Sequence, residues 1–165
     1  MKILIAYSSK TGTTKTCASL LSKEFPRYEV ITADLSCEDP SPEDFDICII
    51  GGSIRIGKLD KRTYAYIQRN IDILSKIKTA YFICNAFNDE CEKYFKKCFP
   101  AGSIDKACFY ESFGGELKMD KQKGFDKLLV KMILKANEEN DEFVLPSIFT
   151  ESIGRFADKI KQITV

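Results

Sequence analysis

The stretch K-I-L-I-A-Y-S-S-K-T-G-T-T-K-T, residues 2–16, decides the fold. Its first part, Lys2–Tyr7, is an unbroken apolar run, the pattern of a strand buried on both faces of a parallel sheet. A hydroxyl-rich turn over residues 8–14 follows. An amphipathic helix then begins near Thr13, with Cys17, Ala18, Leu20, Leu21 and Phe25 at helical spacing and Pro26 at its end. A strand that stops in Ser, Thr and Gly and restarts as a helix leaves backbone N–H groups and hydroxyls at a helix N-terminus, where a phosphate is favoured. Ordinary capping needs a single hydroxyl. This turn carries Ser8, Ser9, Thr11, Thr13 and Thr14 around Gly12, an excess that suits a terminal phosphate monoester.

The same alternation runs through the chain. Residues 29–33 form a second strand, and residues 34–44, with Pro40 and Pro42, a solvated connection. D-I-C-I-I, residues 46–50, is a third strand, expected to stop in Gly51, Gly52 and Ser53. A helix bearing Tyr64, Ile67, Ile71 and Leu74 follows, then a strand over 79–84, a loop over 85–89 and a helix over 90–99. A strand over 106–113, a long helix over 120–137, an acidic break and a helix over 151–163 complete the chain. The fold class is therefore α/β, a doubly wound five-stranded parallel sheet of order 2-1-3-4-5 with helices on both faces, in one domain over residues 1–165. That order sets the first and third strands side by side at the switch point, where ligands bind beyond the strand ends.

Composition narrows the function. With 25 Lys and Arg against 24 Asp and Glu, no global basic field argues for nucleic acid. The 7 cysteines are an odd number without a C-x-x-C pair, and read as reduced thiols of a cytoplasmic protein. Cys48, Cys84 and Cys108 fall in strands and are expected to pack as small apolar residues. The chain has 0 His, which excludes Ser-His-Asp triads and argues against a metal site. No stretch reaches the roughly 20 apolar residues of a membrane span.

Other phosphate users leave signatures that are missing here. Neither G-x-x-x-x-G-K-[ST] nor G-x-G-x-x-G follows the first strand, which lowers ATP, GTP and NAD in rank. A small phosphatase of this architecture brackets a five-residue loop with Cys and Arg, whereas Cys48 lies inside a strand with Arg55 too far beyond it. A phosphoacceptor receiver needs Asp where Gly51 stands.

The residues resemble the flavodoxin family. Y-S-S-K-T-G-T-T is similar to its FMN phosphate loop, and I-I-G-G-S-I-R-I-G to its second flavin loop. More narrowly, G-G-S-I-R-I-G with the helix after it, and F-G-G-E-L with G-F-D-K-L-L-V-K-M-I-L-K, resemble the flavodoxin-type menaquinone-dependent protoporphyrinogen oxidases. The resemblance implies that Ser9, Lys10, Thr11, Gly12, Thr13 and Thr14 hold the FMN phosphate. It implies that Ser53, Ile54, Arg55, Ile56, Gly57 and Lys58 run along the isoalloxazine ring, with Asn85, Ala86, Phe87 and Asn88 on its other side. Arg55, Ile56, Gly57 and Lys58 are the expected surroundings of flavin N5, where related flavodoxins turn over a peptide to accept its proton. Ile56 stands where the family often has an aromatic residue, which replaces stacking by apolar contact, and Phe87 is the candidate to stack from the opposite loop. Arg55, Lys58, Lys61 and Arg62 cluster where electron carriers are usually acidic, and are expected to make the flavin easier to reduce.

The implied function is an FMN-dependent oxidoreductase similar to those oxidases, taking electrons from an organic substrate, a porphyrinogen-like small molecule being one option, and passing them to a quinone or other acceptor. The alternatives are an electron carrier with a redox partner protein, and a phosphate-binding regulatory module. The 120–137 helix repeats Phe125, Leu128, Leu129, Met132, Ile133 and Ala136 on one face. Such a face ordinarily packs on the sheet; ringed by lysines, it also suits a peripheral membrane contact.

Overall fold

The computed structural model describes residues 1–86, 91–116, 124–137 and 145–164, without the side chains of residues 124–127 and 129. Five strands form the parallel sheet: β1 (Lys2–Tyr7), β2 (Glu29–Asp34), β3 (Ile47–Arg55), β5 (Lys78–Cys84) and β6 (Phe109–Ser112), in the order β2-β1-β3-β5-β6. This is the doubly wound order expected from the sequence. Between β3 and β5 a two-residue strand, β4 (Lys58–Leu59), folds back antiparallel on the end of β3, pairing Arg55 with Lys58 and Ile54 with Leu59.

The helices cover both faces. One face packs Ile3, Ile5, Phe82 and Phe113 against α1 (Thr13–Lys23) and α6 (Thr150–Gln162), through Leu21, Phe156 and Ile160. The other packs Leu4, Ala6, Ile50 and Tyr81 against α2 (Lys61–Arg69), α3 (Ile71–Leu74) and α4 (Cys91–Cys98), through Tyr66, Ile67, Leu74 and Phe95. Periodicity alone joined α2 and α3 into one helix. Asn70 separates them, because its Nδ2 donates to the Tyr66 carbonyl and its backbone leaves the helical region.

Two further expectations are corrected. Strand β3 does not stop at Gly51 but runs on to Arg55, with Gly51, Gly52 and Ser53 paired to Phe82, Ile83 and Cys84 of β5. The glycines serve packing. A Cβ on Gly51 would lie 2.0 Å from Phe82 Cζ, and one on Gly52 would lie 2.8 Å from both Leu59 Cδ1 and Thr63 Oγ1. Cys108, expected inside a strand, is exposed one residue ahead of β6, whereas Cys48 and Cys84 are buried as expected.

Helix α5 (Gly124–Ala136) belongs to an excursion between β6 and α6. The excursion is tied at its root, where Gly114 bridges Ile148, the Gly115 N–H donates to the Ser147 carbonyl and the Phe149 N–H to the Phe113 carbonyl. Its Val130 is buried and belongs to neither sheet-face core among the described residues.

Candidate functional site

At the carboxyl ends of β1, β3 and β5 a cavity of about 310 Å³ opens, within the size range of small-ligand pockets. Lys10, Thr11, Thr13 and Thr14 border it from the first loop, Ser53, Ile54, Arg55, Ile56 and Gly57 from the end of β3, and Asn85 and Ala86 from the end of β5. The sequence-predicted segments thus converge on one site although they are far apart in the chain.

The first loop is shaped by its own groups. Gly12 takes a left-handed φ of 89° as the residue before α1, a conformation that favours glycine. Its N–H donates to Ser9 Oγ at 3.1 Å, so Ser9 and Gly12 build the loop without bordering the cavity. Ser8 is buried, its Oγ 2.6 Å from Thr63 Oγ1, which in turn donates to the Gly51 carbonyl at 3.1 Å. That chain of hydroxyls clamps the first loop to β3 and α2. No described side chain caps α1, and Thr13 and Thr14, in its first turn, lie buried at the cavity. The N–H groups of that turn are the ready-made anion donors of a helix start.

On β3, Ser53 Oγ is buried with no hydrogen-bond partner among the described residues, at the cavity wall. Beyond it, Ile56 and Gly57 form the two-residue turn between β3 and β4, both at positive φ, 48° and 67°. The geometry matches a primed hairpin turn, in which a β-branched residue such as Ile56 is disfavoured. Ile56 is 63 % exposed and Arg55 half-buried, while Lys58, Lys61 and Arg62 are exposed. Lys58 does not border the cavity.

On the opposite side, Ser112 Oγ donates to Asn85 Oδ1 at 2.7 Å, and the Asn85 N–H donates to the Gly114 carbonyl. Gly115 lets that loop pass: a Cβ there would lie 2.7 Å from the Asn85 carbonyl carbon. Phe87 and Asn88 lie outside the described residues, as does the segment after Glu116 up to α5.

Sequence reasoning missed Cys84, Tyr94, Val130 and Ile133 as cavity residues, and Gly115 and Glu116, from the segment after the last strand, border it as well. Val130 and Ile133 are three apart on α5, a spacing visible in the sequence, but nothing local says that this face covers a cavity. Glu116 brings a carboxylate to the Thr13 end of the cavity, its Oε2 accepting from Thr13 Oγ1 at 3.5 Å. The Cys84 thiol is pushed up by its hydrogen bond with Cys17 and then by burial, with Thr14 opposing, so it stays protonated and is no nucleophile. Among the described residues no cluster of His, Cys, Asp or Glu could hold a metal ion. No described helix is long and apolar enough to cross a membrane.

A cavity at the switch point beside an uncapped helix start stands where doubly wound domains bind their ligands. The chain belongs to the Flavodoxin domain family, which matches residues 4–143. It is 25% identical to the protoporphyrinogen IX dehydrogenase [quinone] of Escherichia coli strain K12, over 99% of this chain and 97% of that one. It is 22% identical to the protein of the same name from Leishmania major, over 94% of this chain and 73% of that one. Among solved structures it is similar to a flavodoxin of Streptococcus pneumonia TIGR4, with a TM-score of 0.52 at 14% identity, covering 99% of each chain.

Proposed function

We propose that this chain binds FMN and works as an oxidoreductase, taking electrons from a porphyrinogen-like small molecule and passing them to a quinone. The observation that carries the FMN reading is the pairing of the uncapped start of α1 with the buried Ser53 Oγ, which has no hydrogen-bond partner among the described residues, at the same cavity. A phosphate satisfies the first and a polar edge of the ligand the second.

The N–H groups and hydroxyls of Thr11, Thr13 and Thr14, with Lys10, would hold the phosphate, Ser9 and Gly12 keeping the loop in shape. Ser53, Ile54, Arg55, Ile56 and Gly57 would lie along one side of the ring, and Asn85 and Ala86 along the other. Phe87 and Asn88 are proposed for that second side from the resemblance alone. FMN supplies the electron and hydride transfer. Tyr94, Val130 and Ile133 exclude water from the ring's surroundings, which strengthens every charge interaction there. Arg55, with Lys58, Lys61 and Arg62 beyond it, favours the negative charge that a ring gains on reduction.

The enzyme reading is supported over the carrier reading by α5. A carrier must present its ring edge to a protein partner, whereas here Val130 and Ile133 border the cavity from a covering helix. The names of the E. coli and Leishmania relatives point the same way. The carrier reading, with a redox partner protein, rests on family membership. Leu128 and Met132 on α5 are 55% and 60% exposed, a pair of apolar side chains suited to a peripheral contact with the cytoplasmic face of a membrane that holds the quinone.

Purified protein is expected to be yellow and to release FMN rather than FAD on denaturation; a colourless protein that takes up no FMN overturns the reading. Reduction of its flavin by protoporphyrinogen, with many turnovers once a quinone is added, separates enzyme from carrier. Flotation with liposomes tests the membrane contact.

A further inference from the structure

We propose that Cys98 is a positioning residue for the wall of the ring site: its thiol holds the carbonyl of Gly57 towards α4 and thereby sets the reduction potential of the flavin. The inference rests on the FMN reading above. Cys98 Sγ donates to the Gly57 carbonyl at 3.1 Å. Gly57 borders the cavity and Cys98 does not, which places the bonded carbonyl on the helix side of the wall.

The turn needs such a tether. Ile56 and Gly57 are consecutive residues at positive φ, and the first is β-branched, a conformation that persists only when its surroundings over-determine it. Gly57 has no packing reason to be glycine, since a Cβ there would meet nothing within 4 Å. The side of the peptide after it is therefore open, and the pairing of Arg55 with Lys58 makes this peptide the link between the turn and β4. A thiol is a weak donor, so the tether biases the peptide rather than locking it. Reduced flavin carries an N–H at N5 that the oxidised ring lacks. A carbonyl free to turn into the cavity would accept from that N–H and favour the reduced form, and by holding the carbonyl back Cys98 keeps the potential lower.

The test compares native protein with Cys98→Ala and Cys98→Ser, the latter retaining a donor. In the protein freed of flavin, exchange of the Lys58 amide is expected to quicken at least tenfold in Cys98→Ala and to stay near native in Cys98→Ser. An unchanged rate in Cys98→Ala overturns the tether whether or not FMN binds. In the FMN-loaded proteins the midpoint potential of Cys98→Ala is expected to rise by about 30 mV, the two-electron equivalent of a tenfold preference for the reduced form. Cys98→Ser is expected to match the native value. Equal potentials in all three proteins, or Cys98→Ser behaving as Cys98→Ala, overturn the proposed role. Failure of the native protein to bind FMN overturns the proposed function instead, and the exchange rates still decide the tether.

Discussion

Phe82 lies across Gly51: the two are register partners on β5 and β3, and a Cβ on the glycine would fall 2.0 Å from the ring's Cζ. The ring has nowhere to go. It stacks on Phe113 at a centroid distance of 4.6 Å and an interplanar angle of 17°, fully buried. The close approach lets β3 continue past its glycines and carry Ser53 to Arg55 to the cavity.

Gly51→Ala is therefore expected to overpack the core, costing about 2 kcal/mol, roughly 4–8 °C in Tm for a chain of this size. Combining it with Phe82→Leu should cost less than the sum of the two single changes, because the smaller side chain makes room for the new methyl. Urea unfolding of the four proteins measures the coupling; strict additivity would mean that the glycine is not there for the ring.

Ser53→Ala separates binding from stability. Removing a buried hydroxyl that has no partner among the described residues should leave the flavin-free protein as stable as native or slightly more so. FMN affinity should fall by roughly fivefold, about 1 kcal/mol, if that hydroxyl meets the ligand. Fluorescence quenching of FMN and thermal melts of the flavin-free protein read the two effects.

Glu116 places a carboxylate beside Thr13 at the proposed phosphate site. Glu116→Gln is expected to tighten FMN binding up to about tenfold at low salt, with the gain shrinking as salt screens the repulsion. Weaker binding in the variant would show that the carboxylate helps to build the site rather than opposing the phosphate.

Ile56 sits at a φ of 48° in the turn, where asparagine followed by glycine is the favoured pair. Ile56→Asn should raise the stability of the flavin-free protein by about 0.5–1 kcal/mol while weakening FMN binding through loss of apolar contact. A variant that loses stability would argue against strain in the turn.

Burial pushes the Cys48 thiol up to about 12. Unfolded, the thiol ionises near 9. The unfolded chain therefore loses this proton first, so the stabilisation is fully present below about pH 9 and is lost as pH rises towards 12, a total of about 4 kcal/mol. Tyr66 and Tyr81, also raised by burial, act in the same direction. Melting temperatures should stay level to about pH 9 and then fall, less steeply in Cys48→Ala, and a flat profile would refute the assignment.

The amino-acid sequence by itself determined the order of strands and helices, the hydroxyl loop after β1 and the meeting of that loop with the Gly51 to Gly57 segment. Each of these follows from side-chain periodicity, turn residues and the doubly wound order, which are local or nearly so. The tertiary structure alone decided the rest. It showed β3 running through its glycines, because a ring from the next strand occupies the space a Cβ would need. It set Val130 and Ile133 at the border of a cavity, on an excursion whose root is tied by Gly114 and Ile148. It brought Glu116 to Thr13 and Cys98 to Gly57, pairs separated by 103 and 41 positions. Contacts of that range leave no periodic trace in a single sequence, since either partner alone reads as an ordinary surface acid or an ordinary thiol.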